Sequence, residues 1–173
     1  QTDPLTGVAT RQHFNELAAA ALARAREGTR PLMLVAFDLD HFKRINDRHS
    51  HRAGDALLRA VSATVRAVPA LVPRVIGRIG GEEFAVLLDG ATEGQALAYA
   101  EALRRAIAAT EAVVEGSAPL SVTASFGLAG THDAGHDLQA LLDCSDRALY
   151  RAKNAGRDRI TPAQQENPAV DVA

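Results

Sequence analysis

Leu32-Met33-Leu34-Val35-Ala36-Phe37-Asp38-Leu39-Asp40 is the stretch on which the fold turns. Six apolar residues follow Pro31 without interruption, too few for an independent helix, so the segment reads as a strand buried on both faces. It ends in an acidic pair, Asp38 and Asp40. Burying an unpaired carboxylate is costly, so the pair belongs where a sheet meets solvent.

On the N-terminal side, His13 to about Arg26 is rich in alanine and leucine and lacks breakers until Gly28, which predicts a helix. On the C-terminal side, Phe42 to Asn46 predicts a helical turn. A longer helix follows, with Leu57, Val61, Val65 and Val68 on one face, closed by Pro69 and Pro73. Arg74 to Ile79 and Phe84 to Leu88 read as two strands joined by Gly80-Gly81-Glu82-Glu83, a connector with the glycines of a hairpin. Thr92 to about Val113 is an amphipathic helix capped by Thr92. From Leu120, strict alternation puts Leu120, Val122, Ala124, Phe126 and Leu128 on one face of a strand, and only that face is expected to meet the core. A last helix carries Leu138, Leu141, Leu142, Leu149 and Ala152, with Tyr150 continuing its apolar stripe, and ends near Gly156. A short strand is expected around Arg159-Ile160. The order α-β-α-α-β-β-α-β-α-β makes an α/β or α+β domain over residues 1–161, and the unpatterned stretch 162–173 reads as a disordered tail.

The chain has 173 residues, enough for one core. Nineteen basic against twenty-one acidic residues leave a net charge of -2, which disfavours binding to nucleic acid or an anionic membrane. Cys144, the single cysteine, has no internal disulfide partner and reads as a small buried hydrophobe. Gln1 to Thr6 contain no apolar signal core, so the chain is expected to be cytoplasmic or a fragment whose parent could be membrane-anchored. Of its cations seventeen are arginine and two are lysine, which singles out Lys43 and Lys153 as places where a compact ammonium is wanted. Arg104-Arg105 reads as a solvated face. His49 and His51 have a spacing that suits zinc but no third ligand nearby, and His51 is expected to pack or cap locally.

The chemistry concentrates in the carboxylates. If the Asp38 strand neighbours the hairpin, Asp38, Asp40, Glu82 and Glu83 converge, and the glycines let a ligand approach the backbone. Ligands that are all oxygen favour Mg²⁺ or Mn²⁺ over zinc, and a pair of such ions about 3.5–4 Å apart is common in phosphoryl transfer.

These residues fall into seven ordered blocks: Asp3-Pro4-Leu5-Thr6-Gly7; Phe37 to Lys43; Ile45-Asn46-Asp47; His51 with Gly54-Asp55; Arg78 to Phe84; Ser125-Phe126-Gly127; and Ala148 to Lys153 with Gly156-Arg157. Together they resemble the GGDEF family, the bacterial diguanylate cyclases, over nearly the whole chain. The resemblance implies a mostly antiparallel five-stranded sheet flanked by helices, related to the nucleotidyl cyclase and polymerase palm. It implies condensation of two GTP to cyclic di-GMP. Asp38, the Leu39 carbonyl, Glu82 and Glu83 would hold two Mg²⁺ or Mn²⁺ ions per GTP, with Asp38, Glu82 and Glu83 catalytic and Glu82 the candidate to assist deprotonation. Lys43, Lys153 and Arg157 would hold the phosphates, Asn46 and Asp55 would read guanine, and Phe42 and Gly81 would adjoin the substrate. Two domains must face each other, so a homodimer is expected, driven by a regulatory domain upstream. A non-catalytic GTP-binding or cyclic-di-GMP-sensing module is the alternative, against which intact Glu82 and Glu83 weigh.

Three departures from the family pattern stand out. Ser50 replaces a usual glycine and can cap the following helix. Thr10 and Gln12 replace asparagine and arginine near the start. Many members carry an Arg-x-x-Asp product-inhibition motif five residues before the signature, where this chain reads Leu71-Val72-Pro73-Arg74, so that site is expected to be absent unless Arg66 or Arg78 builds a shifted one.

Overall fold

The computed structural model describes residues 1–164. Helix α1 (Arg11–Gly28) precedes β1 (Leu32–Leu39), α2 (Phe42–Arg48) and α3 (His51–Ala67). The hairpin strands β2 (Arg74–Arg78) and β3 (Glu83–Asp89) follow, then α4 (Glu93–Ala108), β4 (Ala124–Gly130), a single turn α5 (Thr131–Ala134), α6 (Leu138–Asn154) and β5 (Ile160–Pro162). The sheet order is β2-β3-β1-β4-β5, antiparallel except for the β4–β5 pair. This is the five-stranded, helix-flanked architecture that the sequence implies.

β1 lies at the centre because it is apolar on both faces. Met33, Val35 and Phe37 join the core beneath α3 and α4, while Leu32 and Leu34 join a second core beneath α1 and α6. Phe37 stacks on Phe84 of β3 at 5.2 Å and meets Phe126 of β4 at 5.0 Å, a row of three rings across the central strands. One residue further along, the same register sets Asp38 opposite Glu83 and Ser125. The aromatic row therefore anchors the sheet just inside the edge where the carboxylates emerge.

β4 departs from the expected strand in two ways. It starts at Ala124 rather than Leu120, the preceding residues making only an isolated bridge between Leu120 and Ala112. Both of its faces are buried, because α6 lies directly on the Ser125 and Gly127 side: a Cβ at Gly127 would stand 2.3 Å from the Ser145 carbonyl oxygen and from the Leu149 nitrogen. The small residues on that face make room for a helix instead of meeting solvent.

α4 ends five residues short of the expected Val113, which is exposed. Its start is as read, with a capping box between Thr92 and Gln95. Tyr150 is 65% exposed and does not follow the apolar stripe of α6. Cys144 is half-buried, with its sulfur 3.2 Å from an Arg147 nitrogen. Ser50 caps α3 by accepting from the Ala53 N–H at 3.1 Å, whereas His51 is exposed as the first residue of that helix and its side chain makes no hydrogen bond among the described residues. Of the expected tail, Pro162 closes β5 and the Ala163 N–H donates to Leu128; from residue 165 it lies outside the described residues.

Candidate active site

At the open end of β1, Asp38 and Glu83 are cross-strand partners on the face covered by α6. Lys153, near the end of α6, reaches back to ion-pair with Asp38 Oδ2. The other carboxylate oxygen, Asp38 Oδ1, is buried and has no hydrogen-bond partner among the described residues. A buried acceptor left in this state costs about 1–3 kcal/mol, so it invites a cation. The Leu39 N–H donates to the Glu82 carbonyl at 3.2 Å, which closes the hairpin bend onto the end of β1.

The bend is shaped by backbone contacts rather than by left-handed glycines. The Ile79 and Gly80 N–H groups both donate to the Glu83 carbonyl, at 2.7 and 3.1 Å, and neither Gly80 nor Gly81 has a positive φ. What Gly81 supplies is room, since a Cβ there would meet nothing within 4 Å. Arg78 holds the outside of the bend, its Nε and Nη2 donating to the Gly81 carbonyl at 3.0 and 2.8 Å while Nη1 pairs with Asp3 at 3.1 Å.

α2 starts immediately beyond this edge because His41 adopts a left-handed conformation, φ 55°, and turns the chain out of β1. Lys43 is exposed on its first turn. The Asn46 side chain lies against Gly54 of α3, where a Cβ would stand 1.8 Å from Asn46 Oδ1. Asn46 is thereby laid beside the residue that precedes Asp55. These side chains make no hydrogen bond to the carboxylates among the described residues; the turn at His41 is what sets them next to the site.

The electrostatics favour a bound cation. Burial raises the Glu83 carboxyl above its ordinary range, Asp146 and Asp38 push it further, and Lys153 opposes them. Asp38, Glu83 and Asp146 around the one ammonium of Lys153 leave an excess of negative charge, and oxygen donors of this kind suit a hard divalent cation, for which Asp38, Glu82, Glu83 and the Leu39 carbonyl are the candidate holders.

A family model described as "Diguanylate cyclase, GGDEF domain" matches residues 1–159. The chain belongs to that family. It is similar to the diguanylate cyclase DgcP of Pseudomonas aeruginosa, with 41% identity over 164 residues covering 94% of this chain and 24% of that protein. It is also similar to the response regulator PleD of Caulobacter vibrioides, 34% identical over 164 residues covering 92% of this chain and 35% of that one. The chain thus spans only about a quarter to a third of the length of these curated relatives. Among solved structures it resembles the GGDEF domain of DgcB from Caulobacter crescentus in complex with c-di-GMP, at TM-score 0.85 and 33% identity over 94% of this chain and 93% of that one. It also resembles the active GGEEF domain of a diguanylate cyclase from Vibrio cholerae, at TM-score 0.82 and 30% identity over 91% of this chain and 98% of that one.

In this GGDEF domain the expected convergence of four carboxylates is not assembled: Asp38 and Glu83 stand together, and among the described residues no three acidic, histidine or cysteine side chains are grouped closely enough to hold an ion. Asp40, beyond the last residue of β1, is buried toward β4, where the hydroxyls of Thr123 and Ser125 donate to it at 2.6 Å each. Phe42, the first residue of α2, buries its ring against Gly54, the glycine that also seats Asn46. Arg157 follows α6 in a left-handed conformation, φ 63°. Two participants escape a reading of the sequence alone. Asp146 faces Glu83 from α6, and its own carboxyl is raised by burial and by Asp143 against the pull of Lys153 and Arg11. Its spacing of seven from Lys153 was the available signal, because it puts both on one helix face. Arg104, expected on a solvated face, is instead bound to Glu101 at 2.7 Å and to Asp158 at 2.9 Å. Among the described residues no helix is long and apolar enough to cross a membrane.

Proposed function

We propose that this GGDEF domain is a diguanylate cyclase catalytic domain that condenses two GTP into cyclic di-GMP with release of two pyrophosphates. The observation that carries the reading is Asp38: its carboxylate stands opposite Glu83, is paired with Lys153 on one oxygen and is left without a partner on the other. In each half-reaction the 3′-hydroxyl of one GTP attacks the α-phosphorus of the other. A P–O bond forms, the bond to pyrophosphate breaks, and the hydroxyl loses its proton.

Asp38, Glu82, Glu83 and the Leu39 carbonyl would hold two Mg²⁺ or Mn²⁺ ions per GTP. When bound, the ions lower the pKa of the attacking hydroxyl and neutralise charge on the α-phosphate and leaving group. Lys43, Lys153 and Arg157 hold the triphosphate by charge-assisted hydrogen bonds. Lys153, ion-paired with Asp38 in this structure, would turn its ammonium to the triphosphate. The open side of Gly81 admits the nucleotide. Asn46 and Asp55 read guanine, the Asp55 carboxylate accepting from its N1–H and exocyclic amine, where adenine offers an unprotonated N1. Glu82, at the tip of the bend, is the group suited to accept the hydroxyl proton.

One domain presents one nucleotide, so turnover requires a second copy facing the first, and effective concentration governs the rate. The deciding experiment is incubation of the protein at high concentration with GTP and Mg²⁺, with chromatographic identification of the product. Cyclic di-GMP is expected, at a rate per molecule that rises with protein concentration. Glu82→Ala and Glu83→Ala should each lower the rate by about 10²–10³ while leaving the fold intact. GTP binding without product would favour the regulatory-module alternative, and unchanged rates in both variants would overturn the assignment of the site.

A further inference from the structure

The second aspartate of the Phe37-Asp38-Leu39-Asp40 run has no place beside Asp38 and Glu83, yet it is only 7% exposed. Its Oδ1 accepts from the Ser125 hydroxyl at 2.6 Å, and its Oδ2 accepts from the Thr123 hydroxyl at 2.6 Å and from the Asp158 backbone N–H at 3.1 Å. Its own N–H donates to the Thr123 carbonyl at 2.8 Å. Among the described residues no cation pairs with it. A carboxylate is thus buried against neutral donors only, an expensive arrangement that asks what it maintains.

The third donor gives the answer. Asp158 and the residue before it, Arg157, are consecutive non-glycine residues in the left-handed region, with φ 46° and 63°. Such a pair persists only where its surroundings over-determine it. Here the Arg157 N–H is fixed to the Ala152 carbonyl at 3.0 Å, the Asp158 N–H to Asp40, and the Asp158 side chain to Arg104 of α4 at 2.9 Å. Arg104 is in turn held by both oxygens of Glu101, at 2.7 and 3.0 Å. The turn is braced from the sheet edge and from α4 together.

We infer that Asp40 is a positioning residue, which fixes the left-handed Arg157-Asp158 turn and so aims the Arg157 guanidinium at the triphosphate. The inference rests on the proposed role of Arg157 as a phosphate ligand. Asp40 touches neither metal nor nucleotide, and its influence on substrate passes through the backbone of Asp158. Asparagine can replace it: the amide oxygen keeps the Asp158 and Thr123 bonds, and the amide nitrogen donates to the Ser125 hydroxyl, which turns to accept.

The test is calorimetric binding of 3′-deoxy-GTP, which lacks the attacking hydroxyl, in the presence of Mg²⁺. Arg157→Ala is expected to weaken binding about 10- to 100-fold, the range of a lost charge-assisted contact. Asp40→Ala should weaken it by a similar factor, the double variant should bind no worse than Arg157→Ala alone, and Asp40→Asn should bind like the wild type. If Asp40→Ala fails to fold, Arg104→Gln loosens the same turn from the α4 side. It should weaken binding in the wild type and leave it unchanged when Arg157 is already alanine. Losses that multiply in the double variants, or wild-type affinity in Asp40→Ala, overturn the inference alone. Wild-type affinity in Arg157→Ala overturns the parent reading of Arg157 and the inference with it.

Discussion

A methyl group at residue 54 would stand 1.8 Å from Asn46 Oδ1 and 3.1 Å from the tip of the Phe42 ring. Glycine inside a helix costs about 1 kcal/mol relative to alanine, so its presence in α3 calls for a packing reason, and the Asn46 side chain is that reason. Gly54→Ala should push Asn46 off its seat beside Asp55 and weaken 3′-deoxy-GTP binding by about tenfold, the equivalent of one net hydrogen bond. The gain in helix propensity should keep the melting temperature within a few degrees of wild type. Unchanged affinity in a calorimetric titration would show that Asn46 does not need the glycine. At this scale the sequence was legible wherever a residue's placement follows from its own element. Asp38 ends an apolar strand, Glu83 starts its antiparallel neighbour, and Lys153 is one of two lysines. It was not legible for Asp40, because the alternation of faces holds only while the strand continues, and β1 stops at Leu39. The donors that capture Asp40 come from Thr123, Ser125 and Asp158, far along the chain.

Gly127 shows the same close approach between elements, this time against main chain. A Cβ there would lie 2.3 Å from two backbone atoms of α6, neither of which can rotate aside. Gly127→Ala should therefore lift α6 from β4, lowering the melting temperature by about 3–10 °C, as overpacking of about 1–3 kcal/mol does in a domain of this size. A wild-type melting curve would mean that the helix sits less tightly than the structure shows. The alternation of β4 was readable, but its meaning was not. Serine and glycine opposite large apolar residues suggest a wet face, whereas here their small size admits a helix, a fact that depends on where α6 docks. The N-terminal segment is tied to the signature bend in a way that pH can probe. Burial works to raise the Asp3 carboxyl, but hydrogen bonds from the Thr6 hydroxyl and N–H and the adjacent Arg78 guanidinium outweigh it and bring it below its ordinary value. A carboxyl depressed by folding contributes stability that is complete above its unfolded pKa, about 3.9, and is lost as pH falls through the lower folded value. Asp3→Asn should thus have a lower urea midpoint than wild type at neutral pH, with the gap closing in strong acid. A gap that stayed constant down to pH 2 would show that the Asp3 charge contributes nothing to the brace.

For the whole molecule, the proposed catalytic groups gather at one end of the sheet, while product control in many GGDEF domains lies at an Arg-x-x-Asp motif upstream of the signature. The sequence already showed the motif replaced by Leu71-Val72-Pro73-Arg74; what it could not show is how the neighbouring arginines are engaged. Leu71 is 92% exposed and offers no polar group. The Arg74 guanidinium is consumed by the end of α3: Nη1 donates to the Val68 carbonyl, Nη2 to the Arg66 carbonyl at 2.7 Å, and the group lies 5.9 Å from the Tyr99 ring centre. It closes a helix C-terminus whose carbonyls would otherwise lack donors. Of the two arginines able to build a shifted site, only Arg78 is tied down by hydrogen bonds among the described residues; Arg66 is exposed. Arg66 lies over Gly7, where a Cβ would come within 3.2 Å of its Nη1, and Arg78 spans Asp3 and the Gly81 carbonyl. Recruiting Arg74 or Arg78 for a ligand phosphate would break a contact that the fold already uses, which offsets the charge-assisted bonds gained, and Arg66 alone offers one guanidinium with no acceptor beside it for a guanine edge. Turnover should accordingly continue as cyclic di-GMP accumulates, slowed only by competition at the active site. Initial rates at rising product should be restored by excess GTP, and calorimetric titration of the nucleotide-free protein should show no binding that survives saturation of the active site with 3′-deoxy-GTP. Inhibition that excess GTP cannot relieve, together with such residual binding, would show that the surface between α3 and β2 holds product despite these contacts.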